Sequence, residues 1–245
     1  MKLFNRKMMT VLLIMAIAMI NNVVAQQKPD MEKQLSSKEQ HIVIVAVVTA
    51  KGDLVKLKPV LNTALDAGLT VNEIKETIVH LYAYAGFPRS LRGLQTFMVV
   101  LDERKAKGIG DEIGVKASAI NDERSKYERG KAILEKLTGV PETGPKTGYA
   151  AFAPEIEVFL KEHLFADIFE RDVLTYAERE LVTISVLAGI GGVEPMLRSH
   201  LNICLNVGIS PDQLQQFIEI IKSTIGKIEA KTAQKVLEEV LISKK

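Results

Sequence analysis

The chain repeats one helical pattern, and this duplication limits what it can fold into more than any other feature. LSSKEQHIVIVAVV, beginning at Leu35, lines up with LTYAERELVTISVL, beginning at Leu174, at an offset of 139 residues. Each opens with a hydroxyl residue followed three positions later by a carboxylate: Ser36 with Glu39, and Thr175 with Glu178. In such a capping box the hydroxyl accepts from a free backbone N–H of the first turn, and the carboxylate reaches back to the N-cap amide. An almost unbroken apolar run follows in both copies, which marks a helix buried on every side. Farther on, LNTALDAGLTVNEI from Leu61 matches LNICLNVGISPDQL from Leu201 at an offset of 140, so one residue is inserted between the blocks. Gly68 and Gly208 suit left-handed helix stops. Thr70 with Glu73 and Ser210 with Gln213 then cap the next helix, with Pro211 in its first turn. Matched starts and stops over about forty residues describe a duplicated helical hairpin.

The remainder also reads as helix. Residues 89–107 place Leu91, Leu94, Met98 and Leu101 at helical spacing. GIGDEIG (108–114) is a break, residues 121–138 form an amphipathic helix stopped by Gly139, and PETGPKTG (141–148) is a loop. Pro154 opens a short helix ending near Ala166. No stretch alternates as a strand would. Aromatic residues make up 5% of the chain and Trp is absent, so the core draws on Leu, Ile, Val and Ala, which suits packed helices. The predicted fold class is all-α, with two related halves in a chain of 245 residues.

The N-terminus stands apart. MKLFNRKMMTVLLIMAIAMINNVVAQQ has a basic start, a short apolar centre and small residues before a cut, the pattern of a secretory signal covering residues 1–25, with cleavage after Ala25. Its apolar run is too short to span a bilayer comfortably. The expected destination is the periplasm, with no membrane association after cleavage. Removing this segment takes away Lys2, Arg6 and Lys7 and moves the formal charge from +2 to −1, leaving no electrostatic case for nucleic acid. Cys204 is the one cysteine, which excludes an intrachain disulfide, a redox pair and a multi-cysteine metal site. His41, His80, His163 and His200 are scattered without HExxH spacing, so neither a metal nor any other cofactor is expected.

Several segments carry a resemblance. YERGKAILEKLTG (127–139), FADIFERDVLTYAERELVTISVLAGIGG (165–192) and EPMLRSHLNICLNVGISPDQL (194–214) stand in an order that resembles the carboxymuconolactone decarboxylase family, which shares its fold with alkylhydroperoxidase D. The second half, residues 121–245, resembles a nearly complete unit. The shorter first half, residues 31–110, adds VHLYAYAGFPRSL (79–91), similar to the family's closing H-x-x-x-Y-x-G-x-P segment. The resemblance implies an all-α fold and a homo-oligomer, here a trimer of two-repeat chains. Phe165 and Phe169 stand where the decarboxylases often carry Trp. Peroxidase members carry a C-x-x-C pair with three residues between it and the family histidine; here those positions are Val193 and Met196. Thiol-dependent peroxide reduction is therefore disfavoured, because no low-pKa thiolate or resolving partner is at hand.

The family's polar residues are divided between the halves. Val60 stands in the first half where the second has His200, while Ile220, Thr224 and Ile228 stand where the first has His80, Tyr84 and Pro88. His200 shares a helical face with Met196, Ile203 and Val207; it is either a base in an apolar wall or a neutral core histidine. Glu76, His80 and Tyr84 follow one another at i, i+4 and i+8, so the carboxylate can orient the imidazole and the phenol can donate, unless the three form an ordinary polar face. Glu178 reads as a capping residue. Glu180 enters an apolar helix and must find a partner or stay protonated; its first-half counterpart is His41. Arg171 and Arg89 can hold a substrate carboxylate by a bidentate fork, or lie at the surface. The expected substrate is a small carboxylate or lactone. His200 would move a proton next to a carbonyl, with His80, Tyr84 or Glu180 as acid or relay, in a cofactor-free decarboxylation or isomerisation. The divided motifs point to one composite site per chain, or to a site between chains. A non-catalytic oligomeric binding or scaffold protein is the competing expectation.

Overall fold

A computed structural model describes residues 34–244; the expected signal segment lies outside the described residues. Helix α1 (Ser37–Lys51) and helix α7 (Tyr176–Ile190) run side by side through the centre. Both begin at the capping boxes expected of them, Ser36/Glu39 and Thr175/Glu178. They are parallel: Lys38 at the start of α1 meets Glu178 at the start of α7 at 2.7 Å, and Gly189 lies against Val47 and Ala50 near their ends. Ile42, Val45 and Val48 on one helix and Leu181, Ile184 and Val186 on the other are wholly buried. A helix that is apolar on every face is stable only with neighbours on every face.

Those neighbours come from both halves. Helix α2 (Leu54–Asp66) leads through Gly68 (φ 93°) into α3 (Val71–Ala106), and α8 (Glu194–Asn206) leads through Gly208 (φ 96°) into α9 (Pro211–Thr224) and α10 (Lys227–Ser243). Helix α3 is broken at Gly86 (φ 79°, ψ 162°). Its counterpart 140 positions on, Gly226 (φ 124°, ψ 174°), separates α9 from α10. Both glycines hold a backbone conformation that side chains disfavour, so the duplication runs through the whole four-helix unit, well past the matched blocks. The third helix of each half crosses over: α3 packs on α7 of the second half, and α9 packs on α1 of the first. The two halves therefore share one core.

The second half carries an addition. After the irregular segment 107–125, α4 (Lys126–Thr138), α5 (Gly148–Phe152), α6 (Pro154–Phe159) and a π-helix (Leu160–Phe169) form a cap. Helix α4 starts later than the expected residue 121, because Ser125 and Glu128 make the capping box and Arg124 turns back to Asp122. The short helix expected to end near Ala166 instead changes to π-winding at Leu160 and continues to Phe169. Ile133, Leu137, Phe165 and Phe169 of the cap form a second apolar cluster with Ile203 on α8, and Tyr82 and Tyr84 of α3 lie against it. Gly130 permits the close approach, since a Cβ there would lie 1.8 Å from the Lys161 carbonyl oxygen. We expect Gly130→Ala to cost about 1–3 kcal/mol through overpacking, read as a lowered melting temperature with faster amide exchange confined to residues 126–169. Unchanged exchange in the cap would contradict this account of the docking.

Candidate active site

The crossing of α3 over α7 places the polar residues of the first half against those of the second. Arg179 on α7 is fully buried. Its guanidinium donates to Glu76 Oε1 at 2.8 Å, to the Arg171 carbonyl at 2.5 and 3.2 Å, and to His80 Nδ1 at 3.3 Å. Arg171 adds a bidentate fork to Glu76 at 2.8 and 3.0 Å. Although Glu76 is buried, these two guanidinium groups hold its carboxyl below the ordinary carboxylate range. His80 Nε2 lies 2.9 Å from Thr183 Oγ1, and that hydroxyl donates to the Arg179 carbonyl at 3.0 Å.

These contacts define the state of His80. A guanidinium only donates, so Nδ1 accepts and Nε2 carries the proton. Burial first, and then the charges of Arg179 and His200, push its pKa well below the usual 6.5. Both nitrogens of a neutral ring are thus committed to the protein. Its folded-state pKa lies below the unfolded value, so the unfolded chain takes up a proton first as pH falls and stability drops below pH 6.5. We expect a slope of up to about 1.4 kcal/mol per pH unit from this residue between pH 6.5 and 5. Urea titrations of wild type and His80→Gln check it: an equally steep decline in the variant would remove His80 as the cause. Glu76, with its depressed pKa, adds its own loss only at lower pH.

Beyond His80 the group continues to α8. His200 Nδ1 lies 2.8 Å from Glu180 Oε2; Glu180 is fully buried, while the His200 side chain is 14% exposed. The Tyr84 ring sits between the two imidazoles, with centroids 5.6 Å from His80 and 5.7 Å from His200. Phe169 of the cap closes on His80 edge-on at 5.0 Å. The Tyr84 hydroxyl and Glu180 Oε1 are both buried without a hydrogen-bond partner in the protein. Burial and the Glu180 charge raise the Tyr84 pKa, so the phenol keeps its proton. Cys204, one turn beyond His200, is buried, and burial with the Glu180 charge pushes its thiol well above the ordinary range, the opposite of an activated nucleophile.

The structure brings His200, Glu180, Tyr84 and His80 together, with Arg171 at the far end. Arg171 is occupied by Glu76, so its fork is not free for a ligand. Arg89 is exposed and lies over Gly52, at the C-terminal end of α1. Because α1 and α7 are parallel, that point is about 16 Å along the helix axis from Glu180, and Arg89 does not join the group. The polar residues pack into a seam and do not surround an open chamber; a hollow of about 240 Å³ opens instead beyond Glu76, beside Lys75, Lys116 and Arg171. Glu76, expected to orient His80, is bonded to the two arginines, and Arg179 and Thr183 orient the ring in its place. Sequence reasoning missed those two. A signal for Arg179 was present: it interrupts the same apolar helix as Glu180, between two glutamates. In the pseudo-equivalent crossing of α9 over α1, Ile220 replaces His80 and Ile44 replaces Thr183. Among the described residues the constellation occurs once.

The sequence profile of the Carboxymuconolactone decarboxylase family matches residues 15–97 and 154–239, so the chain belongs to that family, with its matches falling in the two repeated halves. It is similar to 4-carboxymuconolactone decarboxylase of Acinetobacter baylyi, 28% identical over 122 residues that span 49% of this chain and 90% of that protein. It is also similar to an uncharacterized protein of Methanocaldococcus jannaschii, 29% identical over 72 residues covering 29% of this chain and 67% of that protein.

Proposed function

We propose that the protein is a decarboxylase-like enzyme that moves a proton next to the carbonyl of a small carboxylate or lactone, without a cofactor, in a decarboxylation or an isomerisation. The Glu180–His200 pair carries this reading: a buried carboxylate bonded to an imidazole whose side chain stays partly exposed. Such a pair can take up and return a proton. Tyr84, held protonated beside it, supplies a donor. His80 acts with Arg179 and Thr183 to set the ring positions. The likeness to a 4-carboxymuconolactone decarboxylase supports the substrate class. The test is a thermal-shift screen of small carboxylates and lactones against wild type and His200→Ala. A compound that stabilises only the wild type supports the site.

One observation favours a non-catalytic binding or scaffold role: the seam is closely packed and its arginines are occupied. That reading gains if no compound in the screen shifts the wild type. We further propose export to the periplasm after loss of residues 1–25, and assembly into a trimer. Phe87, Leu91 and Met98 leave an apolar stripe exposed on the second arm of α3, a surface that copies of the chain can cover. Intact mass of the protein recovered from the periplasm and light scattering check these two points. No helix among the described residues is long and apolar enough to cross a membrane.

A further inference from the structure

We propose that the hollow beside Glu76 is a binding site for a tetrahedral dianion, a phosphate or a small phosphomonoester, held by Lys75 on α3, Lys116 of the segment joining the halves and Arg171 just beyond the π-helix. The hollow measures about 240 Å³, and all three cations line it. His80, Tyr84, Glu180 and His200 do not, so the inference stands apart from the proton-transfer reading.

The charges at this place do not balance. Arg171 and Arg179 share the single carboxylate of Glu76: Arg171 donates from Nε and Nη2 at 2.8 and 3.0 Å, and Arg179 from Nη2 at 2.8 Å. Lys75 Nζ donates at 2.7 Å to the side-chain oxygen of Asn72, a neutral acceptor. Lys116 is exposed and, among the described residues, has no ion-pair partner. Asp172 acts on Arg171 through space, but its two oxygens are bonded to the Ser118 amide and hydroxyl at 2.8 and 2.6 Å. Around the hollow and just behind it, four cations thus meet two carboxylates, an excess that suits a dianion.

The donors are also placed in advance. Buried Asn72 donates from its side-chain nitrogen to the Gly114 and Val115 carbonyls at 2.9 and 3.0 Å. Lys116 stands between that anchor and the Ser118–Asp172 anchor, so its backbone is held at the rim although the segment has no regular secondary structure. The kind of anion follows from the donors that are left. A planar carboxylate is best met by a guanidinium fork. The Arg171 fork is closed on Glu76, and among the described residues only its Nη1 has no acceptor. One Nη1 and two ammonium groups from separate parts of the chain are point donors, which fit the spread oxygens of a tetrahedral anion. Ala117 and Val173 add an apolar wall for a short ester group. A bound anion would tie the first half, the joining segment and the second half together.

The probes are inorganic phosphate, methyl phosphate and, as a dianion with planar groups, malonate, titrated into the wild type by calorimetry at constant ionic strength. Phosphate or methyl phosphate is expected to bind at least about tenfold more tightly than malonate. Lys116→Ala and Lys75→Ala should each weaken phosphate binding about tenfold, the loss of one charge-assisted hydrogen bond. The melting temperature without ligand should hardly move in either, as for other surface substitutions. Phosphate should slow amide exchange at residues 112–118 in the wild type and not in Lys116→Ala, which separates this hollow from other lysines of the surface. A methyl ester that binds more tightly than free phosphate assigns the site to a phosphomonoester, and the reverse order assigns it to the free ion. His200→Ala should bind phosphate as the wild type does, so failure of the proton-transfer reading leaves this result intact. Malonate binding as tightly as phosphate, an affinity untouched by both lysine substitutions, or no binding at millimolar phosphate overturns the proposal.

Discussion

Replacing Arg179 by methionine is expected to destabilise the folded chain by about 3–5 kcal/mol, the cost of leaving the other member of a buried ion pair without its partner. For a chain of this size that corresponds to a fall in melting temperature on the order of 10 °C. The reason lies in the number of groups one guanidinium serves. It neutralises Glu76, satisfies the carbonyl of Arg171 and fixes the acceptor nitrogen of His80, all inside the core. Methionine fills much of the volume but donates to none of them. Arg171 remains on Glu76 but is more exposed. A companion substitution sharpens the test: Glu76→Leu combined with Arg179→Met removes both charges, and apolar replacement of a whole buried pair is often neutral. The double variant should recover part of the loss in urea denaturation. If Arg179→Met alone melts within a degree or two of wild type, the guanidinium does not hold the crossing together.

The second large effect concerns rate. Once a substrate is found, His200→Ala should lower kcat about 10²- to 10⁴-fold, the usual contribution of a positioned acid–base group, and it should also lower the melting temperature, because the buried Glu180 loses its hydrogen-bond partner. His200 lies at the edge of the seam, and its recorded hydrogen bond is to Glu180. KM should move far less than kcat, because the residue is assigned to proton transfer and not to binding. A variant that keeps most of its turnover would leave Glu180 acting without its histidine and would take His200 out of the mechanism.

Much of the architecture was legible because its signals are local. The pairs Ser36/Glu39 and Thr175/Glu178 sit three residues apart, and the orphaned amides of a first turn leave them little else to do. Gly68 and Gly208 mark stops by a backbone conformation that a side chain would resist. The same reading left His200, Glu180, Tyr84 and His80 as candidates for one composite site or for a site between chains, and the fold packs them along one seam. What escaped it depends on contacts between distant residues. Glu76 and Arg179 are 103 positions apart, and nothing within one turn of either says which of several charges it meets. Spacing therefore assigned Glu76 to His80, four residues away, whereas the folded chain offers it two guanidinium groups. Arg89 failed for the same cause: a cation near a motif in sequence lies at the other end of the central helices. The π-winding at Leu160–Phe169 has no composition that distinguishes it from an ordinary helix. It is visible only with Gly130 pressed against the Lys161 carbonyl.

The crossed third helices have one more consequence. Two separate copies of such a unit, exchanging those helices as a symmetrical pair, would have to build both crossings from the same residues, so any buried charge placed in one would be duplicated in the other. Joining the copies end to end removes that obligation. In this chain the crossing of α9 over α1 has gone over to Ile220 and Ile44 and serves cohesion, while the other keeps its ionisable side chains. Of the two crossings, one thereby carries the burden of holding charge away from water, with a greasy twin nearby to anchor it.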